Sequence, residues 1–296
     1  MSSFSFDHLT LRTVAAAVPR HVITLDTSER RVAKFVKQMG IKQVHISITQ
    51  QTPLDLGAVA LEQALAHVGW QAQDLDLVLF DTQSAYFYGG VGESSLLHHY
   101  FNLRENCAVF DLPVGCSAFP YSLTTACAMA QNSADIKRIA LFNGDITWHK
   151  FHSKDELLRQ QEHLFGEGTG VVLLEKNNAP GTGGAPGAGG APITTKLFAL
   201  GHGYQDLFFY PNASHIWNLT APSLVMPDGT QVAHEPGDSK LSLYMNGIAI
   251  HEFSTTKIAN SIKEHYGAAL KDFDYYVFHQ ANRQILQALT TSLDRD

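Results

Sequence analysis

Between residues 61 and 83 the segment LEQALAHVGWQAQDLDLVLFDTQ carries two successive patterns. Leu61, Leu65 and Val68 recur at helical spacing, whereas Leu75, Leu77, Val78, Leu79 and Phe80 form a nearly continuous apolar run. The first predicts an amphipathic helix ended by Gly69, and the second a short strand buried on both faces. The segment ANSIKEHYGAALKDFDYYVFHQA, residues 259–281, repeats this grammar. At a constant offset of 198, Gly69 aligns with Gly267, Asp74 with Asp272, Asp76 with Asp274 and Phe80 with Phe278. Helix–loop–strand units look alike in many folds, yet these identities in the same order favour a duplicated α/β unit.

After its Asp-x-Asp strand, the first copy predicts a helix over 92–101, a strand over 107–112, a turn at Cys116 and a helix over 117–131. Strands over 138–144 and 168–175 follow. The second copy reaches residue 296 before equivalents of these elements occur, so the second half is expected to lack its last strands. Residues 177–195 (NNAPGTGGAPGAGGAPITT) cannot bury apolar surface and read as a flexible linker. The expected division is therefore 1–176, the linker 177–195, and 196–296. A polar loop over 217–238 leads into a strand, KLSLYM, and a helix beginning near Asn246.

Composition narrows the function classes. The 296 residues carry 21 Lys and Arg against 28 Asp and Glu, a formal charge of −7. No Lys/Arg-rich block is present, which argues against nucleic acid as a partner. Charged residues make up 17%, below the ~25% usual for soluble domains, so subunit contact is expected to cover surface. No apolar run approaches the ~18–20 residues of a membrane span, and the N-terminus lacks the pattern of a signal peptide. Three cysteines without metal-site spacing fit a reducing cytoplasm. His149 and His152 have i, i+3 spacing but no third ligand, so neither a metal nor another cofactor is expected. Gly166, Gly168 and Gly170 precede a strand instead of joining a strand to a helix, and read as a turn, not a nucleotide loop.

Two constellations could carry chemistry. In AVFDLPVGCSAFPYSLTTACAMAQ a buried strand meets a Pro-Val-Gly turn, then Cys116, then a helix. Free N–H groups and the dipole at a helix start lower a thiol's pKa and can hold an oxyanion. Cys116 is thus either a reactive thiolate or an inert cysteine at a packed helix start. Cys107 and Cys127 read as core residues. In YYVFHQANRQI, His279 directly follows a predicted strand, and Asn282 is placed to cap the next helix. A strand's carboxyl end is where open α/β folds place reactive groups, so His279 is either a functional imidazole or a polar cap. It aligns with Asp81 in the first copy. Asp272 and Asp274 read as capping and solvating the loop before the strand.

Cys116 in DLPVGCSAFPYSL, with FGEGTGVVLLE, MNGIAIHEF and FHQANRQI, resembles the ketoacyl-acyl-carrier-protein synthase III branch of the thiolase superfamily. MGIKQVHI, residues 39–46, is similar to that family's Thr-Gly-Ile-Arg-Glu-Arg segment. The resemblance spans most of the chain in the right order. It implies a duplicated thiolase-like α/β fold, layered α-β-α-β-α, assembled as a homodimer.

The resemblance also implies a mechanism. Cys116 would accept an acyl group from a thioester, and a malonyl thioester would lose carbon dioxide and attack the acyl-cysteine, with His279 donating to the enolate oxygen. Asn282 resembles the family residue that contacts pantetheine, Arg283 the one that docks the carrier protein, and Phe119 and Tyr121 would line the acyl pocket or belong to the core. The family's Asn, in a Gly-Asn-Thr-Ser type turn, has no counterpart before residue 296. Lys34 and Gln38 stand where a Trp and an Arg commonly grip the CoA adenine, which favours an acyl carrier protein over acyl-CoA as donor. The expected setting is fatty acid or polyketide biosynthesis. The alternatives are a non-catalytic or incomplete subunit, and an acyltransferase using Cys116 and His279 with an oxygen or nitrogen acceptor.

Overall fold

The strand Leu77–Asp81 is buried along its whole length, and the first half of the chain is arranged around it. It pairs in parallel with Ala108–Asp111 on one side and Arg138–Asp145 on the other. Arg138–Asp145 pairs antiparallel with Gly168–Lys176, which pairs antiparallel with Leu9–Ala17 and completes a five-stranded mixed sheet. Leu9–Ala17, and Ser2–Phe6 before it, are strands that the apolar pattern did not announce: exposed and half-buried residues dominate both.

The computed structural model describes residues 2–7, 9–48, 51–84, 92–147, 164–177, 192–201, 203, 206–211, 223–225, 231–233 and 241–293. Two compact units emerge. One contains Met1–Val22, His45–Thr147 and Glu167–Ala199, and the other Ile23–Val44, Trp148–Gly166 and Leu200–Asp296. Each is assembled from segments apart in the sequence, where the pattern predicted consecutive stretches.

In the first unit the two-residue period of the strands sorts side chains between two cores. Val78, Phe80, Ala140, Phe142, Val171 and Leu173 face the helices Pro53–Val68 and Glu93–Tyr100, through Ala60, Leu61, Ala64, Leu65 and Leu97. Leu77, Leu79, Ile139, Leu141, Val172 and Leu174 face Ala126, Cys127 and Ala130 of the helix Ala118–Asn132. Phe80 and Phe142 stack with centroids 5.2 Å apart. Gly57 passes directly over them: a Cβ there would lie 3.1 Å from the Phe142 ring. Cys107 and Cys127 are buried in these cores, and burial raises their thiols to about 11 and about 12.

Local chemistry explains the element ends. The helix predicted from Leu61 starts earlier, at Pro53, because Thr52 and Asp55 form a reciprocal capping box and Pro53 occupies the first turn. Gly69 ends it in the left-handed conformation, φ 72°, with its N–H donating to the Leu65 carbonyl. The Asp-x-Asp pair that follows is structural. Asp74 caps the 3₁₀ turn Ala72–Asp74 and pairs with Arg138, while Asp76 accepts from the Lys137 and Arg138 N–H groups and from Arg104.

The second copy departs from this plan. Its helix forms over Ala259–Tyr266 and stops at Gly267, but residues 275–278 make no strand. Strand geometry is stabilised by ladder partners, and no described residue pairs with this segment. Tyr275 and Val277 are 87% and 92% exposed, while Tyr276 and Phe278 pack on a small core of Ala259, Leu270, Ile285, Leu289 and Leu293. Asp272 and Asp274 are exposed. The predicted strand at 240–245 forms as Leu241–Met245, paired with Leu207–Pro211, and Asn246 caps the helix Gly247–Glu252 through Ala249 N–H.

Three further expectations need adjustment. Within the segment read as linker, residues 193–195 belong to the strand Ile193–Leu197, which pairs with Ser2–Phe6; residues 178–191 lie outside the described part. Within the predicted polar loop, Ser223–Val225 and Gln231–Ala233 pair antiparallel as short strands. Gly168 and Gly170 are not in a turn but inside the strand Gly168–Lys176, where the ladder holds them extended. His149 and His152 lie outside the described residues.

Removing the Phe142 ring deletes one of two stacked aromatics from a core that Gly57 already seals. Phe142→Ala is expected to destabilise the protein by about 3–5 kcal/mol, read as a lowered urea midpoint at unchanged slope.

Candidate active site

The parallel strands Leu77–Asp81, Ala108–Asp111 and Arg138–Asp145 end together, and the chain leaving the second passes over their carboxyl ends to Cys116. Gly115 adopts φ 66°, left-handed backbone that suits glycine. Gly115–Ser117 form a 3₁₀ turn, with Ser117 Oγ donating to the Val114 carbonyl, and the helix Ala118–Asn132 begins at once. Cys116 therefore lies just before the helix and is exposed. Further along, Thr124 Oγ1 donates to the Pro120 carbonyl and is 2.8 Å from Thr195 Oγ1 of the strand Ile193–Leu197. Phe119 is 39% exposed and Tyr121 is half-buried.

The electrostatics at Cys116 reverse the expectation of a lowered thiol pKa. Partial burial around the sulfur pushes the thiol up, the Asp145 carboxylate adds to this, and Asp81 adds again, outweighing the backbone hydrogen bond that favours the thiolate. A helix start supplies partial positive charge, but desolvation of the sulfur, Asp145 and Asp81 all act against the thiolate.

Those carboxylates were not singled out as site residues from the sequence. Asp145 Oδ1 accepts from Thr82 Oγ1 at 2.9 Å, Gln83 N–H at 2.7 Å, and Ser84 N–H and Oγ at 3.0 and 3.1 Å. Asp111 accepts from Ser94 N–H at 3.0 Å. Asp81 is 2% exposed. Burial raises its carboxyl to about 7; the Val114 N–H works against this, and the charges of Asp145 and Asp111 reinforce it. The one signal in the sequence was that Asp81 occupies the place of His279 in the duplicated pattern. Glu167, 4% exposed, joins two strand ends by accepting from the Ser47 and Thr147 N–H groups.

The other candidates belong to the second unit. His279 is exposed, and desolvation of its ring holds its pKa below the ordinary histidine value, which favours neutral imidazole at pH 7. Asn282 caps the helix Arg283–Ser292, its Oδ1 accepting from Ile285 N–H at 3.0 Å, as the sequence predicted. The cap engages the oxygen and not the Nδ2 amide. Arg283 packs over Gly40, whose φ is 78°; a Cβ on Gly40 would come within 2.9 Å of Arg283 Nε. Lys34 and Gln38 lie on the helix Arg30–Met39.

Comparison with known proteins gives this arrangement its context. Residues 110–185, which hold Cys116 and the strand Gly168–Lys176, match the family model described as 3-oxoacyl-[acyl-carrier-protein (ACP)] synthase III. The beta-ketoacyl-[acyl-carrier-protein] synthase III of Methylococcus capsulatus is 27% identical over 285 residues, 93% of this chain and 78% of that protein. The structure of 3-oxoacyl-(acyl-carrier protein) synthase from Burkholderia xenovorans LB400 matches with a TM-score of 0.74 at 21% identity, covering 100% of this chain and 80% of that one. The priming beta-ketosynthase of the R1128 polyketide pathway matches with a TM-score of 0.73 at 19% identity, covering 98% and 80%.

The fold is thiolase-like, that of the synthase structures it matches. Over residues 110–185 the chain is similar to the 3-oxoacyl-[acyl-carrier-protein] synthase III family, and the synthase III relatives it matches are 26–27% identical to it. Among the described residues, no helix is long and apolar enough to cross a membrane.

Asp81 has a measurable consequence for stability. An unfolded chain ionises it near pH 4, whereas the folded chain holds the proton up to about 7. Its contribution to stability is therefore complete below pH 4 and is lost as the pH rises to 7. Asp81→Asn is expected to be more stable than the parent at pH 7–8, by on the order of a few kcal/mol. The difference should close towards pH 4; urea unfolding across that range checks it.

Proposed function

We propose that this chain is a condensing acyltransferase of fatty acid or polyketide biosynthesis, with Cys116 as nucleophile and His279 and Asn282 serving the malonyl partner. The supporting observation is an exposed cysteine on a glycine-formed turn at a helix entrance, in the segment that matches the family model. The Cys116 sulfur attacks the carbonyl of an acyl thioester. Its proton goes to a base, the carrier thiol departs with a proton, and an acyl-cysteine remains. Backbone N–H groups at the helix start suit the transient oxyanion.

In the second half-reaction a malonyl thioester loses carbon dioxide. Neutral His279 donates a hydrogen bond to the resulting enolate oxygen, and the enolate carbon attacks the acyl-cysteine. The thiol leaves, regains a proton, and a 3-oxoacyl thioester is released. On this reading the half up to residue 176 supplies the nucleophile and the half from residue 196 the imidazole. Phe119 and Tyr121 line the acyl side, and the Nδ2 amide of Asn282 meets the pantetheine arm. Arg283 docks the carrier protein. The donor is an acyl carrier protein or acyl-CoA thioester, and the enzyme works as a homodimer in the cytoplasm.

Incubation with acyl thioesters, followed by peptide mass spectrometry, is expected to show one acyl group on Cys116 and none in Cys116→Ala. His279→Ala should still acylate while releasing carbon dioxide from a malonyl thioester about 10²–10³-fold more slowly, the usual cost of one lost oxyanion donor. An adduct without any carbon dioxide release in the parent would favour transfer to an oxygen or nitrogen acceptor. No adduct at all would favour a non-catalytic chain.

A further inference from the structure

We propose that Asp81 is a positioning residue for the Cys116 turn, anchoring its entrance and, once ionised, holding the neighbouring sulfur as a thiol. The consequence for catalysis rests on the reading of Cys116 as the nucleophile. The anchoring itself stands apart from that reading.

The geometry comes first. Asp81 ends the central strand with its side chain sealed from solvent, and its Oδ2 lies 3.5 Å from the N–H of Val114, the residue that opens the 3₁₀ turn. Gln83, two residues on, places its side chain against Gly115: a Cβ there would be 3.6 Å from Gln83 Oε1. The end of one strand thus braces the loop that leaves its neighbour.

The charges follow from the strand register. Phe80 lies opposite Asp111, and Asp81 opposite Asn143 two residues before Asp145, so three carboxyl groups meet at the ends of three adjacent strands. The groups facing Asp81 are Asp111 from one strand, Asp145 from the other, and the Cys116 turn above. The arginine ion pairs described in this unit are made elsewhere, to Asp74, Asp76 and Glu175. Asp145 accepts from hydroxyl and amide donors and Asp111 from Ser94 N–H. Asp81 has one long backbone contact and is deeply buried, and burial is the first cause of its raised carboxyl.

When Asp81 does ionise, it adds a charge that opposes thiolate formation at Cys116. The nucleophile then stays protonated until a base takes the proton. The duplicated pattern places an imidazole, His279, at the aligned position of the second copy. The same position of the duplicated pattern thus carries an acid in one half and a base in the other.

The test is iodoacetamide alkylation of the full chain from pH 6 to 10, with peptide mass spectrometry separating Cys116 from buried Cys107 and Cys127. Asp81→Asn, which keeps an acceptor for Val114 N–H, and Asp81→Ser are compared with the parent. Both are expected to alkylate at Cys116 about three- to tenfold faster at pH 8, with rates converging with the parent's at pH 6. The parent's own profile should show an inflection near neutral pH besides that of the thiol, a readout that survives if both variants fail to fold. Coincident profiles, an equal acceleration at both pH values, or a parent profile with the thiol inflection alone would overturn the assignment. Acyl-thioester labelling is scored separately: a shifted alkylation profile without acylation keeps Asp81 in its role and removes Cys116 as the nucleophile.

Discussion

A parallel strand buried on both faces needs a neighbour on each edge and a helix layer above and below. Leu77–Asp81 meets all of these conditions, and its carboxyl end is consequently fixed in three dimensions. The Cys116 turn crosses that end because the adjacent strand stops in register with it. The helix after the turn then runs back along the face lined by Leu77 and Leu79. Catalytic geometry in such a fold follows from where strands stop as much as from which residues occupy the loops.

Where the sequence concentrated apolar residues at a regular period, it was readable. The apolar run 75–80, the helix ended by Gly69, the helix after Cys116 and the Asn282 cap could all be named, since each is decided by a few neighbouring residues. The first two strands were hidden because an edge ladder with many exposed positions shows little apolar contrast. The 275–278 segment shows the opposite failure. Its side chains alternate as a strand's should, with Tyr276 and Phe278 inward, yet strand formation depends on pairing that a local pattern does not contain.

The candidate cysteine was legible in the sequence, its surroundings much less so. A cysteine before a helix is visible in a string of letters; the carboxylates beside it are not. Asp145 lies 29 positions after Cys116 and Asp81 lies 35 before it, and only the sheet register brings them to the sulfur. That is why the helix-start argument gave the wrong sign for the thiol. It counted the local dipole and missed first the desolvation of the sulfur and then the charges delivered by neighbouring strands. The structure also recasts Cys107 and Cys127 in physical terms: burial raises both thiols, alone at Cys127 and with Asp76 adding at Cys107, whereas Cys116 is accessible and its proton is governed in part by Asp145 and Asp81.

The contact between Arg283 and Gly40 has an entropic side. A long cationic side chain ordinarily surrenders many rotamers when it meets an anion. Here the guanidinium stem already rests against a backbone turn that offers no Cβ, and the left-handed conformation at position 40 disfavours any other residue there. Part of the ordering is thus accomplished during folding. An acidic surface arriving at Arg283 would encounter a charge with its direction already chosen, a preference set by a glycine far away along the chain.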